Sequence, residues 1–277
     1  MSISDWRYYN HAALPTTAPH EVPDTSVIES GEIWKAFSRA PLLARWTTEF
    51  DCGKDTGWYY VIRKAPYSLD QLDRNPRKHI RQALKKCYAK LISVKEYLPE
   101  LYECYAEAAK TYGNGYHIAS YEEFSEKYTK NEGEGIECLA CFSTETEKLI
   151  GYHTIQKHVD HVDIITSKYL PSYLNLGPSN TLHHETYSLY LNDLGYRYVS
   201  HGERSISHET NTQEYKIKTF GCVKAYAHLN LVYNPKVKWI VKLAYPIRGF
   251  IGLFNGIGVV RSLLSVLNME EIVRAQK

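Results

Sequence analysis

Histidine, lysine and carboxylate side chains move protons near neutral pH or meet developing charge, and this chain gathers them in its second half. His153 lies in an apolar run, His183, His184 and Glu185 follow one another, and His201 and Glu203 close a further run. Lys216 and Lys218 stand just ahead of Phe220-Gly221. The plain alternative for each is a surface residue or a hydrogen-bonded structural one. A second set binds anions: Arg77, Arg81 and Lys85 recur every four residues and so stack on one helix face, with Arg63, Lys64 and Arg74 nearby. Such a row either grips phosphate groups or is a solvated helix face.

Twelve histidines raise the question of a metal. His158 and His161 share a turn region and His183-His184 are adjacent, yet no His-x-x-x-His pair with a helical carboxylate appears, so no metal is expected. Cys138-x-x-Cys141 has a knuckle-like spacing, but it falls in a strand pattern, where residues three apart point to opposite faces. Packing is its expected role. The six cysteines are scattered, unlike a small secreted disulfide scaffold, and read as reduced thiols. The formal charge of +2 argues against a dedicated nucleic-acid binder, although ten Lys or Arg oppose two Asp between Arg63 and Lys95. No apolar run interrupts Met1 to Asn10, so no secretory signal is expected, and the expected location is cytoplasmic.

The elements that must position these residues follow from periodicity. Residues 1–30, rich in Pro, Thr and Ser, are expected to form an extended arm pinned by Trp6, Tyr8 and Tyr9, and 1–57 as a whole the amino-terminal arm and lead-in. Trp58 to Ile62 reads as a strand, bounded by Gly57 and Pro66. A helix starts near Asn75 and carries Ile80, Leu84, Cys87 and Leu91 on one face. Further helices span about Pro99 to Lys110 and follow the capping box of Ser120 and Glu123. Ile136 to Ser143, Leu149 to Lys157 and His161 to Thr166 suit an antiparallel meander. A helix from Thr181 to Leu194, a strand from Tyr196 to Ser200, a helix opened by Thr210 and a strand from Ala225 to Tyr233 complete the order.

That order, with Tyr215-Lys216-Ile217-Lys218-Thr219-Phe220-Gly221 ahead of the last strand and the basic Arg77-Lys78-His79-Ile80-Arg81 after the first, resembles the GNAT superfamily, especially its FemAB-like and cellulose-biosynthesis-like branches. The resemblance covers about 58–234. It implies an α/β fold, a mixed and mostly antiparallel central sheet flanked by helices, and an N-acyltransferase acting on an amine of a sugar or cell-envelope precursor in polysaccharide biosynthesis. Acyl transfer needs a proton acceptor, for which His153, Glu185 and His201 are candidates. The resemblance places the donor at Leu176, Gly177, Ser179 and Asn180, and a small-molecule or lipid-linked acceptor at Arg77, Arg81, Lys216 and Lys218. Acyl-CoA sites of this family carry a Gly-rich pyrophosphate loop, whereas Leu174-Asn175-Leu176-Gly177-Pro178-Ser179-Asn180 has one glycine and a proline. The donor is therefore either acyl-CoA or, as in the FemAB-like branch, aminoacyl-tRNA, which makes tRNA a partner. The alternative readings are a non-catalytic binding module and a membrane-docked accessory protein.

Residues 235–277 form an apolar and basic tail. Its longest uncharged run, Gly249 to Val260, is well short of the roughly 20 residues a spanning helix needs. Lys236, Lys238, Lys242 and Arg248 lead into it, so 236–269 either docks peripherally on the inner face of an anionic membrane or packs on protein.

Overall fold

The computed structural model describes residues 3–112, 116–206 and 211–276. In chain order the elements are β1 (Trp6–Tyr9), β2 (Ala12–Pro15), α1 (Ser26–Glu29), β3 (Leu43–Thr48), β4 (Tyr59–Lys64), α2 (Arg74–Ala83), β5 (Cys87–Ile92), α3 (Leu98–Ala109), α4 (Tyr121–Gly133), β6 (Ile136–Ser143), β7 (Leu149–Lys157) and β8 (His161–Tyr169). There follow α5 (Pro178–Tyr187), β9 (Tyr198–Glu203), α6 (Asn211–Phe220), β10 (Val223–Tyr226), β11 (His228–Tyr233), α7 (Pro235–Ala244), α8 (Arg248–Gly252) and α9 (Gly258–Ala275). Two compact units emerge: 1–60 with 203–210 and 224–277, and 61–202 with 211–223. The expected division into arm, central domain and tail differs from this, because the first and last segments share one unit.

In that first unit the arm is not merely extended. β1 and β2 pair as an antiparallel hairpin, Trp6 opposite Pro15, across a two-residue turn in which Asn10 (φ 50°) and His11 (φ 66°) are both left-handed. Such turns match the twist of the flanking strands. β2 runs parallel to β3, and β3 pairs antiparallel with β11, from His228 opposite Thr48 to Tyr233 opposite Leu43. Trp6, Val27, Ile28 and Ile33 form its buried core on one side, and Trp58, Leu229 and Met269 on another.

The second unit carries most of the strands β4, β9, β8, β7, β6 and β5, which follow one another in that order in one sheet. β5 through β8 are antiparallel neighbours, and β8 and β9 are parallel. Side chains alternate along β7: Tyr152 meets Tyr128 of α4, hydroxyl to hydroxyl at 2.8 Å, while His153 meets Thr186 of α5, so α4 and α5 cover opposite faces. α4 opens with the expected capping box, the Ser120 hydroxyl accepting from Glu123 N–H at 3.2 Å and the Glu123 carboxylate from Ser120 N–H at 2.9 Å. One helix is corrected. The turn after α2 ends it at Ala83, and Cys87 and Leu91 lie on β5, paired against Ser143 and Leu139 of β6. The helix expected to open at Thr210 has its start outside the described residues.

Candidate functional site

β8 and β9 pair over three rungs only, His161 with Tyr198, Val162 with Val199 and Asp163 with Ser200, although β8 continues to Tyr169. The strands part there. The chain then turns through Gly177, whose φ of 85° requires a left-handed residue, and enters α5 with Pro178 in its first turn. A π-helical turn, Ser188–Asp193, extends α5, a distortion that often marks functional positions.

Three imidazoles meet behind the parted strands: His153 from β7, His183 from α5 and His201 from β9. The His183 ring centroid is 4.7 Å from that of His153 and 5.4 Å from that of His201, and it stacks on Phe220 at 4.4 Å. His153 is hydrogen-bonded at both nitrogens. Thr186 donates to the Leu182 carbonyl (2.7 Å), so its oxygen accepts from His153 Nδ1–H (3.2 Å), and the Tyr169 hydroxyl donates to Nε2 (3.2 Å). His183 Nδ1–H donates to the Ser179 carbonyl at 2.8 Å, which puts a lone pair on Nε2, a buried atom with no hydrogen-bond partner. The Cys222 thiol lies 3.4 Å from the Tyr187 oxygen, and Tyr187 in turn 2.7 Å from His201 Nε2. With Tyr187 donating, the His201 proton sits on Nδ1, also buried and without a partner.

Buried polar atoms are almost always paired, and each left unpaired costs about 1–3 kcal/mol. A lone acceptor and a lone donor in neighbouring rings suit a ligand that carries both functions. Burial, reinforced by the Lys216 charge, pushes the His183 pKa down to about 3 and holds His153 and His201 well below the ordinary imidazole value. Lys216, on α6, is itself lowered by burial and has no carboxylate partner among the described residues. It is the charge closest in effect to all three rings.

The structure thus brings together His153, His201 and Lys216, with Ser179 supplying the carbonyl that orients His183. Asn180 joins through Tyr215, whose hydroxyl donates to Asn180 Oδ1 at 3.3 Å. Glu185 is two residues from His183, about 200° round the helix, and faces away from the cluster. Burial and Asp193 raise its pKa, and its charge is felt by Tyr67 and Cys141 instead. Lys218 is exposed and equally displaced from Lys216. Arg77 and Arg81 both reach Asp70 Oδ1, at 3.1 and 3.4 Å. The Leu176 carbonyl accepts from the Cys87 thiol at 3.6 Å. His183 was among the residues noted in sequence, but only its stack on Phe220 and its bond to Ser179 distinguish it from His184, which pairs with the Tyr67 hydroxyl at 3.0 Å. Cys138 and Cys141 are buried in β6, and burial lifts the Cys138 thiol to about 12.

On the other face, a cavity of about 380 Å³ lies between α3, α4 and β8. Ile165 to Lys168, the part of β8 beyond its last rung with β9, line it together with Tyr105, Tyr116, Phe124 and Tyr128. Lys168 Nζ sits 4.5 Å from the Tyr112 ring centroid and 5.7 Å from that of Tyr105. Such an aromatic and cationic lining suits a ligand with a planar or anionic part.

No protein-family model matches the chain, and no curated protein resembles it in sequence. Solved structures share its fold. FemX superposes with a TM-score of 0.60 at 11% identity over 85% of each chain. L-PGS from Bacillus licheniformis gives 0.53 at 12% identity over 85% of this chain and 82% of its own. The C-terminal domain of a putative lysylphosphatidylglycerol synthetase from Agrobacterium fabrum gives 0.51 at 12% identity, over 83% and 80%. The fold is α/β and GNAT-like, with mixed sheets flanked by helices, as expected from the element order. No helix of the described residues is long and apolar enough to cross a membrane.

Proposed function

We propose that this chain is an aminoacyltransferase that moves an amino acid from an aminoacyl-tRNA to an amine of a cell-envelope precursor. The observation that carries the reading is the buried imidazole cluster at the parting of β8 and β9, with its unpaired His183 Nε2 and, beside it, Lys216, which has no carboxylate partner among the described residues. Two features favour aminoacyl-tRNA over acyl-CoA. Gly177 N–H is already bonded to the Leu174 carbonyl at 3.1 Å, and the space its missing side chain leaves is filled by Ala83, so the loop offers no open glycine cradle for a pyrophosphate. The structures that match over most of the chain, moreover, include one named for making lysylphosphatidylglycerol, a lysine joined to a lipid.

In this reading the amine nitrogen attacks the ester carbonyl of the donor, hydrogen-bonded through N–H to His183 Nε2. With its pKa near 3, His183 stays neutral and orients rather than deprotonates. The proton passes to the amine form of Lys216, and the resulting ammonium steadies the carbonyl oxyanion. Collapse of the tetrahedral intermediate breaks the ester C–O bond, and Lys216 returns the proton to the departing tRNA hydroxyl. His153, hydrogen-bonded on both sides, positions His183.

The test is transfer from radiolabelled aminoacyl-tRNA, with total envelope lipid and amino-sugar precursors as acceptors and acetyl-CoA as the competing donor. Lys216→Met is expected to lose at least about 100-fold in rate, the usual scale for a proton-transfer group, and His183→Gln, which alters an orienting hydrogen bond, to lower the rate as well. If no donor is consumed, the non-catalytic binding module is the better reading; if the parent transfers and the two variants match it, Lys216 and His183 do not carry the reaction.

A further inference from the structure

The turn joining β7 to β8 carries His158-Val159-Asp160-His161-Val162-Asp163, none of which belongs to the imidazole cluster. His158 N–H donates to the His161 carbonyl at 2.9 Å, closing a two-residue hairpin that sets these residues opposite each other. Asp163 lies two residues beyond His161 on the same strand and hence on the same face. The result is a compact donor set. His158 Nε2 is 3.0 Å from Asp163 Oδ2, and one ligand atom from each of His158, His161 and Asp163 lies within 4.8 Å of the others. Tetrahedral zinc, with bonds of 2.0–2.2 Å, sets its ligand atoms about 3.3 Å apart.

We propose that His158, His161 and Asp163 hold a divalent transition-metal ion of the zinc class. Two imidazoles and a carboxylate are the donors such an ion prefers, and three protein ligands leave a fourth position for water. An outer shell is present too. His161 Nδ1 is 3.2 Å from Asp160 Oδ1, the carboxylate contact that fixes a ligating histidine's tautomer and directs its Nε2 lone pair at the ion. His161 is held at 1% exposure and stacks on Tyr198 at 4.8 Å, so its position is fixed by the fold. The His158 and His161 rings lie parallel, 3° apart in plane and 4.3 Å between centroids. An ion in the plane of both rings requires one to turn, and the side chain with room to do so is His158, at 31% exposure. Asp163 also forms the last rung between β8 and β9, so the ion ties the hairpin to the point where those strands part.

The test uses the full chain, stripped with a chelator and titrated with Co²⁺ and then Zn²⁺. One equivalent of Co²⁺ is expected to give the visible bands of a nitrogen and oxygen site, displaced by Zn²⁺. Asp160→Asn is expected to weaken binding 10–100-fold through the outer shell, and His161→Ala by more. His158→Ala, at the half-exposed position, keeps the test open if the buried variant fails to fold. Equal affinity in the parent and in His158→Ala overturns the proposal, as do sub-stoichiometric uptake and bands with thiolate charge-transfer intensity, which assign the ion to cysteines.

Discussion

Gly177→Ala separates packing from donor binding in the loop that enters α5. At φ 85° an alanine is strained by about 1–2 kcal/mol. Its Cβ also lands 2.8 Å from the Ala83 Cβ, a methyl fixed to the helix α2 backbone that cannot rotate away. Overpacking of this kind costs about 1–3 kcal/mol, so the sum is about 2–5 kcal/mol. The two parts come apart in a double-mutant cycle. Ala83→Gly alone costs about 0.5–1 kcal/mol as a helical glycine, but in the Gly177→Ala background it removes the clash and leaves only the backbone strain. The expected coupling is 1–3 kcal/mol and favourable. Urea unfolding at pH 7.5, followed on the transition of the unit containing α2 and α5, measures it. A loss below about 0.5 kcal/mol for Gly177→Ala, or a coupling of zero, would refute this account of the close approach. A stable Gly177→Ala/Ala83→Gly protein that still transfers normally would also show that the glycine serves the helix contact and not the donor.

The three neutral imidazoles set a pH dependence. His153, His183 and His201 have folded pKa values depressed below 6.5, so the unfolded chain takes up protons the folded one refuses, and stability present above about pH 6.5 is lost as pH falls toward 3. Below about pH 6.5 the three groups together steepen the fall of stability with pH, and His201→Gln is expected to make that fall shallower; an unchanged slope in urea titrations rejects the assignment. In the tail, Trp239, Leu243, Ile247, Phe250, Leu253, Phe254, Ile257 and Val259 are all exposed. The protein is expected to sediment with phosphatidylglycerol vesicles in a salt-sensitive way, and a Phe250→Ser/Leu253→Ser/Phe254→Ser variant to lose at least tenfold, whereas sedimentation that ignores both salt and these residues counts against a membrane-facing tail.

Much of the fold is legible where local chemistry decides. The Ser120–Glu123 box and the short apolar runs of β6 and β7 between polar connections locate those elements, because capping and local composition are properties of neighbouring residues. β5 is different. Cys87 and Leu91 continue the four-residue spacing of Ile80 and Leu84, and a short apolar run at that spacing fits helix and strand alike; only pairing with β6, some fifty residues on, decides it. The arm hides its hairpin behind prolines, although Asn10 was a local sign of a left-handed turn. In the site, residue types were visible and hydrogen bonds were not. Arg77 and Arg81 looked poised for an anion, yet their shared partner is Asp70 from the preceding turn.

The disposition of charge explains why Glu185 and Lys216, both plausible from sequence, separate once folded. A carboxylate beside Lys216 would hold its ammonium protonated and favour a stable ion pair, leaving a spectator. Turning Glu185 about 200° away from His183 removes that partner, and the neutral imidazoles around Lys216 offer no counter-charge. Burial lowers the Lys216 pKa from its ordinary value. The same burial keeps each imidazole neutral, so the cluster holds a nucleophile by hydrogen bonds without creating a second cation beside Lys216. In the proposed aminoacyl transfer, one lysine among uncharged acceptors and donors would take a proton as negative charge appears on the carbonyl.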